Sequence, residues 1–294
     1  MSGLVIGQKG QLGNSLINLI NPPSSFRFDS KEKIRASDPN FVIPLILDLK
    51  PSFIVNAAAW TEVDSAETAG PELIAANVDI PRNLASVSKI LSIPFYQIST
   101  DYVFSGNSKK PYEVDYPKEP LSKYGKSKSE GEDIALKIYP KGTRIFRTSW
   151  LYSPFRKNFV KTMIKMAKVN KNEISVVSNQ FGQPTSSLDL ANQIIHSIEL
   201  DLKPGIYHAT NSGIATWHSL AREIFQLIGE NANRVVEIDG SQLKRAASRP
   251  SYSVLSHNCW KNTGIEPMRD WKIALKEQIE EIRVAVSEEI KNGI

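Results

Sequence analysis

Cysteine is almost missing from this chain. With Cys259 as the one thiol among 294 residues, no internal disulfide can form and no cysteine-rich metal cluster can be built, which fits a reducing compartment. Histidine is nearly as scarce: His196, His208, His218 and His257 are scattered, none at ligand spacing, and they read as structural. No apolar run approaches the ~20 residues needed to cross a bilayer. The first residues pass at once into a strand-like run with no basic-then-apolar leader, so a cytoplasmic location away from membranes is expected. Charge of one sign is not concentrated either. The 36 basic and 31 acidic side chains leave a net +5 that is spread along the chain, which gives nucleic-acid binding little support and suits small anionic ligands such as nucleotide diphosphates.

What is present is an ordinary globular composition, 41% hydrophobic and 23% charged, long enough for one large or two intimately joined domains. "GLVIGQKGQLGNSLINLI" opens with a short apolar run, a glycine-punctuated turn, and then Leu12, Leu16, Leu19 and Ile20 at helical spacing. "PSFIVNAAAW" and "SIPFYQIST" read as buried strands, each preceded by a helical pattern. Strands alternating with helices predict a parallel sheet covered on both faces. Beyond "TRIFRTSW" the rhythm loosens into helices in "NFVKTMIKMAK", "SLDLANQIIHSI" and "TWHSLAREIFQLIG", strands in "EISVVS" and "GIYHAT", and a closing amphipathic helix in "DWKIALKEQIEEIRVAV". There is no internal repeat and no low-complexity linker, so the second region is expected to pack directly on the first.

Three local patterns carry chemistry. Gly7, Gly10 and Gly13 follow a strand and lead into a helix, where small residues let the backbone turn tightly and approach a pyrophosphate that meets the free amides of the helix start. Glycines that merely close a turn are the alternative, and the strand-to-helix setting favours dinucleotide binding. In "LSKYGKSKSEGE", Lys123, Lys126, Lys128, Glu130 and Glu132 resemble a solvated helix face. Yet Tyr124 and Lys128, four apart, share one side, and an ammonium beside a phenol lowers its pKa, so that the phenol can hand a proton to an alkoxide near neutral pH. Thr100 ends the apolar run "FYQIS" and is placed at the carboxyl edge of a strand, where its hydroxyl can hydrogen-bond a carbonyl oxygen or simply cap the next turn.

Taken together, "GQKGQLG", "VNAAAWTEVDSAE", "ISTDYVFSG", "YGKSK", "FRTSWLYS", "NFVKTM", "NQFGQPTSSLDLA" and "RPSYSVL" occur in the order seen in dTDP-4-dehydrorhamnose reductases, extended members of the short-chain dehydrogenase/reductase superfamily. The chain resembles that family over nearly its whole length. The resemblance implies a Rossmann-type, doubly wound parallel sheet (residues 1–150) with a smaller C-terminal α/β substrate region (151–294) whose segments partly return to the sheet. It also implies reduction of the 4-keto group of a dTDP-6-deoxy-hexulose to give dTDP-L-rhamnose. By the same likeness, Thr100, Tyr124 and Lys128 are catalytic, and Gly7, Gly10, Gln11, Leu12 and Gly13 form the pyrophosphate loop. Ala57, Ala58, Ala59 and Thr61 pass beside the cofactor, although buried helix-packing alanines would look the same. Asp101, Val103, Phe104, Trp150 and Arg249 fall on the substrate side. Trp150 as interdomain core and Arg249 in a surface salt bridge stay open as alternatives.

The sequence also departs from that family. Ser15 and Leu188 occupy positions where some relatives place glutamates around a magnesium ion at a dimer interface, so no such metal is expected, and a homodimer would form without it. Arg35, in "IRASDP", stands where an acidic residue is usual and can accommodate a 2'-phosphate, whereas Asp29 could hold a ribose; the balance leans to NADPH with NADH usable. Rival readings are a related nucleotide-sugar epimerase or dehydratase, the latter disfavoured because Tyr102 follows Asp101 in place of a second carboxylate. A non-catalytic NADP-binding subunit resembling that of methionine adenosyltransferase is the other.

Overall fold

A computed structural model describes residues 3–19 and 26–293. Ile20, counted above in the first helical pattern, lies outside the described residues.

The first part alternates as the periodicity predicts: β1 (Gly3–Ile6), α1 (Gln11–Leu19), β2 (Phe26–Asp29), α2 (Pro39–Leu49) and β3 (Phe53–Asn56). Two short helices follow, α3 (Val63–Ala66) and α4 (Pro71–Ile74), then α5 (Ile80–Leu91), β4 (Phe95–Thr100), α6 (Lys123–Ile138) and β5 (Thr143–Thr148). The stretch that reads as one helix, "ELIAANVDIPRNLASVSKIL", is broken by a π-turn over Ala75–Asp79. That turn carries Asn77 inward, 1% exposed.

All pairings in the main sheet are parallel, in the order β2-β1-β3-β4-β5, and β10 (Gly205–His208) closes the β5 side. Strand alternation decides what each face buries. Leu4, Ile6, Ile54, Phe95 and Ile145 pack against Val42 and Ile46 of α2, Ile80 and Leu84 of α5 and Ala135 of α6. Val5, Phe53, Val55, Tyr96 and Phe146 point the other way, onto Leu12 and Leu16 of α1 and Leu190, Ala191 and Ile194 of a later helix. The sheet is therefore doubly wound, and the strand order reverses between β1 and β3, the position where such sheets open a crevice at their carboxyl edge.

The later elements run β6 (Leu151–Tyr152), α7 (Phe159–Val169), β7 (Ile174–Val177), β8 (Phe181–Gly182), β9 (Thr185–Ser186) and α8 (Ser187–Glu199). After β10 come β11 (Ala215–Thr216), α9 (Trp217–Leu227), β12 (Val235–Ile238) and α10 (Trp271–Lys291). A separate core joins Val160, Met163 and Ile164 of α7 to Leu220, Ile224 and Phe225 of α9 and to Leu275, Ile279 and Ile282 of α10, over the parallel pair β7–β12. In contrast, α8 and β10 return to the main sheet.

Candidate active site

The glycine turn is built as its residue types require. Gly7 has φ +100°, and a Cβ there would lie 2.7 Å from the Ala58 nitrogen and 2.8 Å from the Ala57 carbonyl carbon. A Cβ on Gly13 would sit 2.3 Å from the Gly7 carbonyl oxygen. The turn after β1 and the loop after β3 thus meet backbone to backbone at the point where the strand order reverses, a cradle that fits a pyrophosphate approaching bare amides. Gln11 and Leu12 have side chains committed elsewhere. Gln11 donates to the Leu151 carbonyl at 3.2 Å and accepts from Ser153 and Asn158, while Leu12 is core, so only their backbone serves the turn.

The loop after β3 is pinned by Asn77, which no sequence motif singles out. Its side chain accepts from the Trp60 amide at 2.8 Å and donates to Ser127 on α6 at 3.0 Å. Ala57 and Ala59 are half-buried, Ala58 is buried and Thr61 is exposed. At the end of β2, Asp29 is 1% exposed and ion-paired with Arg27 at 2.7 Å and Lys33 at 2.9 Å. Burial opposes its charge, yet those two cations hold its carboxyl below the usual range. Arg35, at φ +42°, lies exposed with its guanidinium 3.6 Å over the Phe41 ring.

Thr100 ends β4 in extended geometry, as expected. Its hydroxyl accepts from the Tyr102 amide at 3.2 Å, donates to Asp101 at 3.1 Å and hydrogen-bonds the Tyr124 phenol, so it caps the turn and lies beside that phenol. On α6 the sides separate cleanly: Tyr124, Lys128 and Glu132 are buried, whereas Lys123, Lys126 and Glu130 are exposed. Glu132, which charge spacing assigns to a wet surface, instead forms a bidentate pair with Arg147 of β5 at 3.0 and 2.8 Å, both side chains at most 1% exposed. Burial alone would push the Glu132 carboxyl up, and Arg147 brings it below its ordinary value.

One expectation is corrected. Lys128 does not depress the Tyr124 pKa: burial pushes the phenol up to about 12, the Thr100 hydrogen bond pulls it part of the way back, and the Asp101 charge pushes it up again. The reason is that the Lys128 ammonium runs along the strand to donate to the Ile98 carbonyl at 2.6 Å. Burial lowers its own pKa to about 8, opposed by Glu132 one turn on. Tyr124 is therefore held fully protonated, the form an acid needs. Asp101, 1% exposed, keeps one buried oxygen without a partner, and burial lifts its pKa to about 6 against hydrogen bonds from Ser253 and Thr100.

On the opposite wall several side chains lie differently from expectation. Val103 and Phe104 are fully buried in a cluster with Tyr112 and Leu255, Phe104 stacking on Tyr112 at 4.3 Å, and so offer no side chain to a substrate. Trp150, at φ +45°, stacks face to face on Trp217 at 3.6 Å and presses on Gly182, where a Cβ would fall 2.6 Å from its ring. Trp217, not Trp150, lines the cleft of about 420 Å³ that also takes in Phe159, Met163, Tyr102, Arg245 and Arg249. Arg249 gives its fork to Asp64 at 2.8 and 2.6 Å. Tyr102, edge-on to Tyr124 with ring centroids 5.6 Å apart, joins this cleft to the phenol. Nothing local in the sequence marks Trp217 or Arg245, because their placement depends on packing of α9 and the 240s loop against distant elements.

The family model for the RmlD substrate binding domain matches residues 1–284. A dTDP-4-dehydrorhamnose reductase of Streptomyces griseus is 38% identical over 279 residues, 93% of this chain and 91% of that protein. A dTDP-4-keto-6-deoxy-D-glucose reductase of Streptomyces niveus is 35% identical over 275 residues, 92% of this chain and 94% of that protein. The crystal structure of a Bacillus anthracis dTDP-4-dehydrorhamnose reductase in complex with NADP superposes with a TM-score of 0.90 at 33% identity, covering 95% of this chain and 99% of that one. A backbone cradle at the sheet's reversal point, a threonine, tyrosine and lysine at the neighbouring strand end, and these whole-length matches agree: the chain belongs to the RmlD substrate binding domain family.

Proposed function

We propose that this protein is an NAD(P)H-dependent oxidoreductase that reduces the 4-keto group of a dTDP-linked 6-deoxy-hexulose, with dTDP-4-dehydro-L-rhamnose as substrate and dTDP-L-rhamnose as product. The observation that carries the reading is the buried Tyr124 phenol, hydrogen-bonded to Thr100 and one ring contact away from an open cleft. Gly7, Gly10 and Gly13 would hold the cofactor's pyrophosphate, with Ala57, Ala58, Ala59 and Thr61 beside it, and Lys128 would hold the nicotinamide ribose. When bound, the reduced nicotinamide supplies the hydride. Thr100, turning its hydroxyl from Asp101, donates to the sugar carbonyl and orients it, and Tyr124 gives its proton to the carbonyl oxygen as charge develops there. Phe159, Met163 and Trp217 offer an apolar wall for the base, and the arginines at the rim face the diphosphate.

Arg27 and Lys33 already pair with the Asp29 carboxylate, and Arg35 lies exposed with its guanidinium over Phe41, a set of cations that supports NADPH as the better cofactor. Where the resemblance places magnesium-binding glutamates, this chain has Ser15, hydrogen-bonded to Ser187 at 2.6 Å, and Leu188, which supports a homodimer that would close without that metal. Among the described residues no helix is long and apolar enough to cross a membrane, in keeping with a cytoplasmic enzyme. The decisive experiment incubates the protein with NADPH or NADH and a panel of nucleotide 4-ketosugars and determines the product's stereochemistry. Cofactor oxidation dependent on a dTDP-4-ketosugar is expected. Cofactor binding with no turnover on any of them would leave the non-catalytic subunit as the better reading.

A further inference from the structure

Two clefts on the substrate side share a rim formed by Arg245 and Arg249. The guanidiniums are not equivalent. Arg249 commits Nη1 and Nη2 to Asp64, gives a second Nη1 bond to the Ala247 carbonyl at 2.8 Å and shares a hydrogen bond with Tyr102. The Ala247 amide also donates to Asp64, so three donors converge on that carboxylate. Arg245 is exposed, and among the described residues no side chain or carbonyl hydrogen-bonds it or pairs with it. Each cleft holds both arginines and one carboxylate, Asp64 in the larger and Asp239 in the smaller. Asp239 is itself engaged by the Ser241 amide and the Asn179 side chain. Partial burial and the neighbouring Arg249 work against the Arg245 charge, while Asp64, already gripped by Arg249, favours it only through space.

We infer that Arg245, and not Arg249, grips the diphosphate of the nucleotide sugar, while Arg249 is a strut held in the wall by Asp64 and Tyr102. A free planar guanidinium can meet two phosphate oxygens at once, whereas Arg249 would first have to abandon a bidentate carboxylate. Arg245 is also well placed for this contact, with the apolar wall of Phe159, Met163 and Trp217 to one side and Tyr102 leading to Tyr124 on the other. This assignment rests on the reading of the site as a nucleotide-sugar reductase.

The test is calorimetric titration of the full chain, saturated with NADP⁺, with dTDP and with thymidine, together with KM and kcat for the 4-ketosugar. Arg245→Gln is expected to weaken dTDP roughly ten- to hundredfold, the span of a lost charged hydrogen bond, and to leave thymidine unchanged. KM should rise in parallel with kcat within about twofold, and Arg245→Lys should recover part of the loss because the charge is kept. Arg249→Gln should instead keep dTDP affinity within about twofold of the wild type and lower Tm only slightly. The inference is overturned if Arg245→Gln binds dTDP as the wild type does, if it weakens thymidine equally, or if Arg249→Gln loses as much dTDP affinity as Arg245→Gln. A wild-type protein that neither binds dTDP nor reduces the sugar sinks the reading of the site itself, a result distinct from those.

Discussion

The sheet side and the C-terminal side of the cleft each contain an arginine bound bidentately to a carboxylate, and they differ in nearly everything else. Arg147 of β5 and Glu132 of α6 are sealed between strand and helix of the main sheet. Arg249 and Asp64 join a late loop to a short helix, with the Asp64 side chain 49% exposed. A buried pair is costly to break because the orphaned charge stays out of water, about 3–5 kcal/mol, whereas an exposed pair contributes about 0–1 kcal/mol. The floor under Tyr124 and Lys128 is thus rigid by construction, and the wall facing the substrate can yield. The difference suits a reaction whose proton donor must be placed within a fraction of an ångström while sugar nucleotides enter and leave.

Four variants press on that contrast, from the largest effect to the smallest. Tyr124→Phe removes the phenol we propose as proton donor, and kcat should fall by roughly 10²–10⁴ with the cofactor dissociation constant unchanged, as measured by fluorescence titration. Full turnover would remove Tyr124 from the chemistry. Glu132→Gln should cost roughly 3–5 kcal/mol in urea unfolding by leaving Arg147 buried and unpaired; a loss under 1 kcal/mol would make the two sides alike. Lys128 titrates near 8 in the fold, below its ordinary 10.5, so between those values the unfolded chain holds the proton and the folded one does not. Stability of the cofactor-free protein should therefore rise with pH from 8 to about 10.5, and Lys128→Met should flatten that slope. Asp64, lowered to about 2 chiefly by the Arg249 hydrogen bond, stabilises the fold above its unfolded value of 3.8 and ceases to as pH falls through 2. Solvent screening limits this to under about 1 kcal/mol, so Asp64→Asn should shift the acid unfolding midpoint only slightly.

What the sequence discloses follows the same division. The turn at Gly7 is visible because left-handed backbone pressed against a neighbouring loop admits little but glycine, and that demand is written into one position. Tyr124 and Lys128 are visible because helical spacing alone puts them on one side. Alternating strands and helices disclose the parallel sheet, since two buried faces impose continuous apolar runs. Glu132 misleads because its partner, Arg147, comes from strand β5, and charge spacing along one helix cannot register it. Likeness places Val103 and Phe104 at the substrate, although their bulk and apolarity send them into the cluster with Tyr112. Trp217 and Arg245 carry no local signal, since the cleft they line exists only once α7, α9 and the 240s loop have converged.

The return of β10 to the main sheet has a consequence for how the molecule can be made. A fragment ending near residue 150 would expose the backbone groups of β5 along an open edge and lack the α8 side chains that shield one sheet face. Ribosomal synthesis must accordingly run past His208 before β5 gains its outer neighbour, and a chaperone-poor expression host should punish early termination with insoluble product.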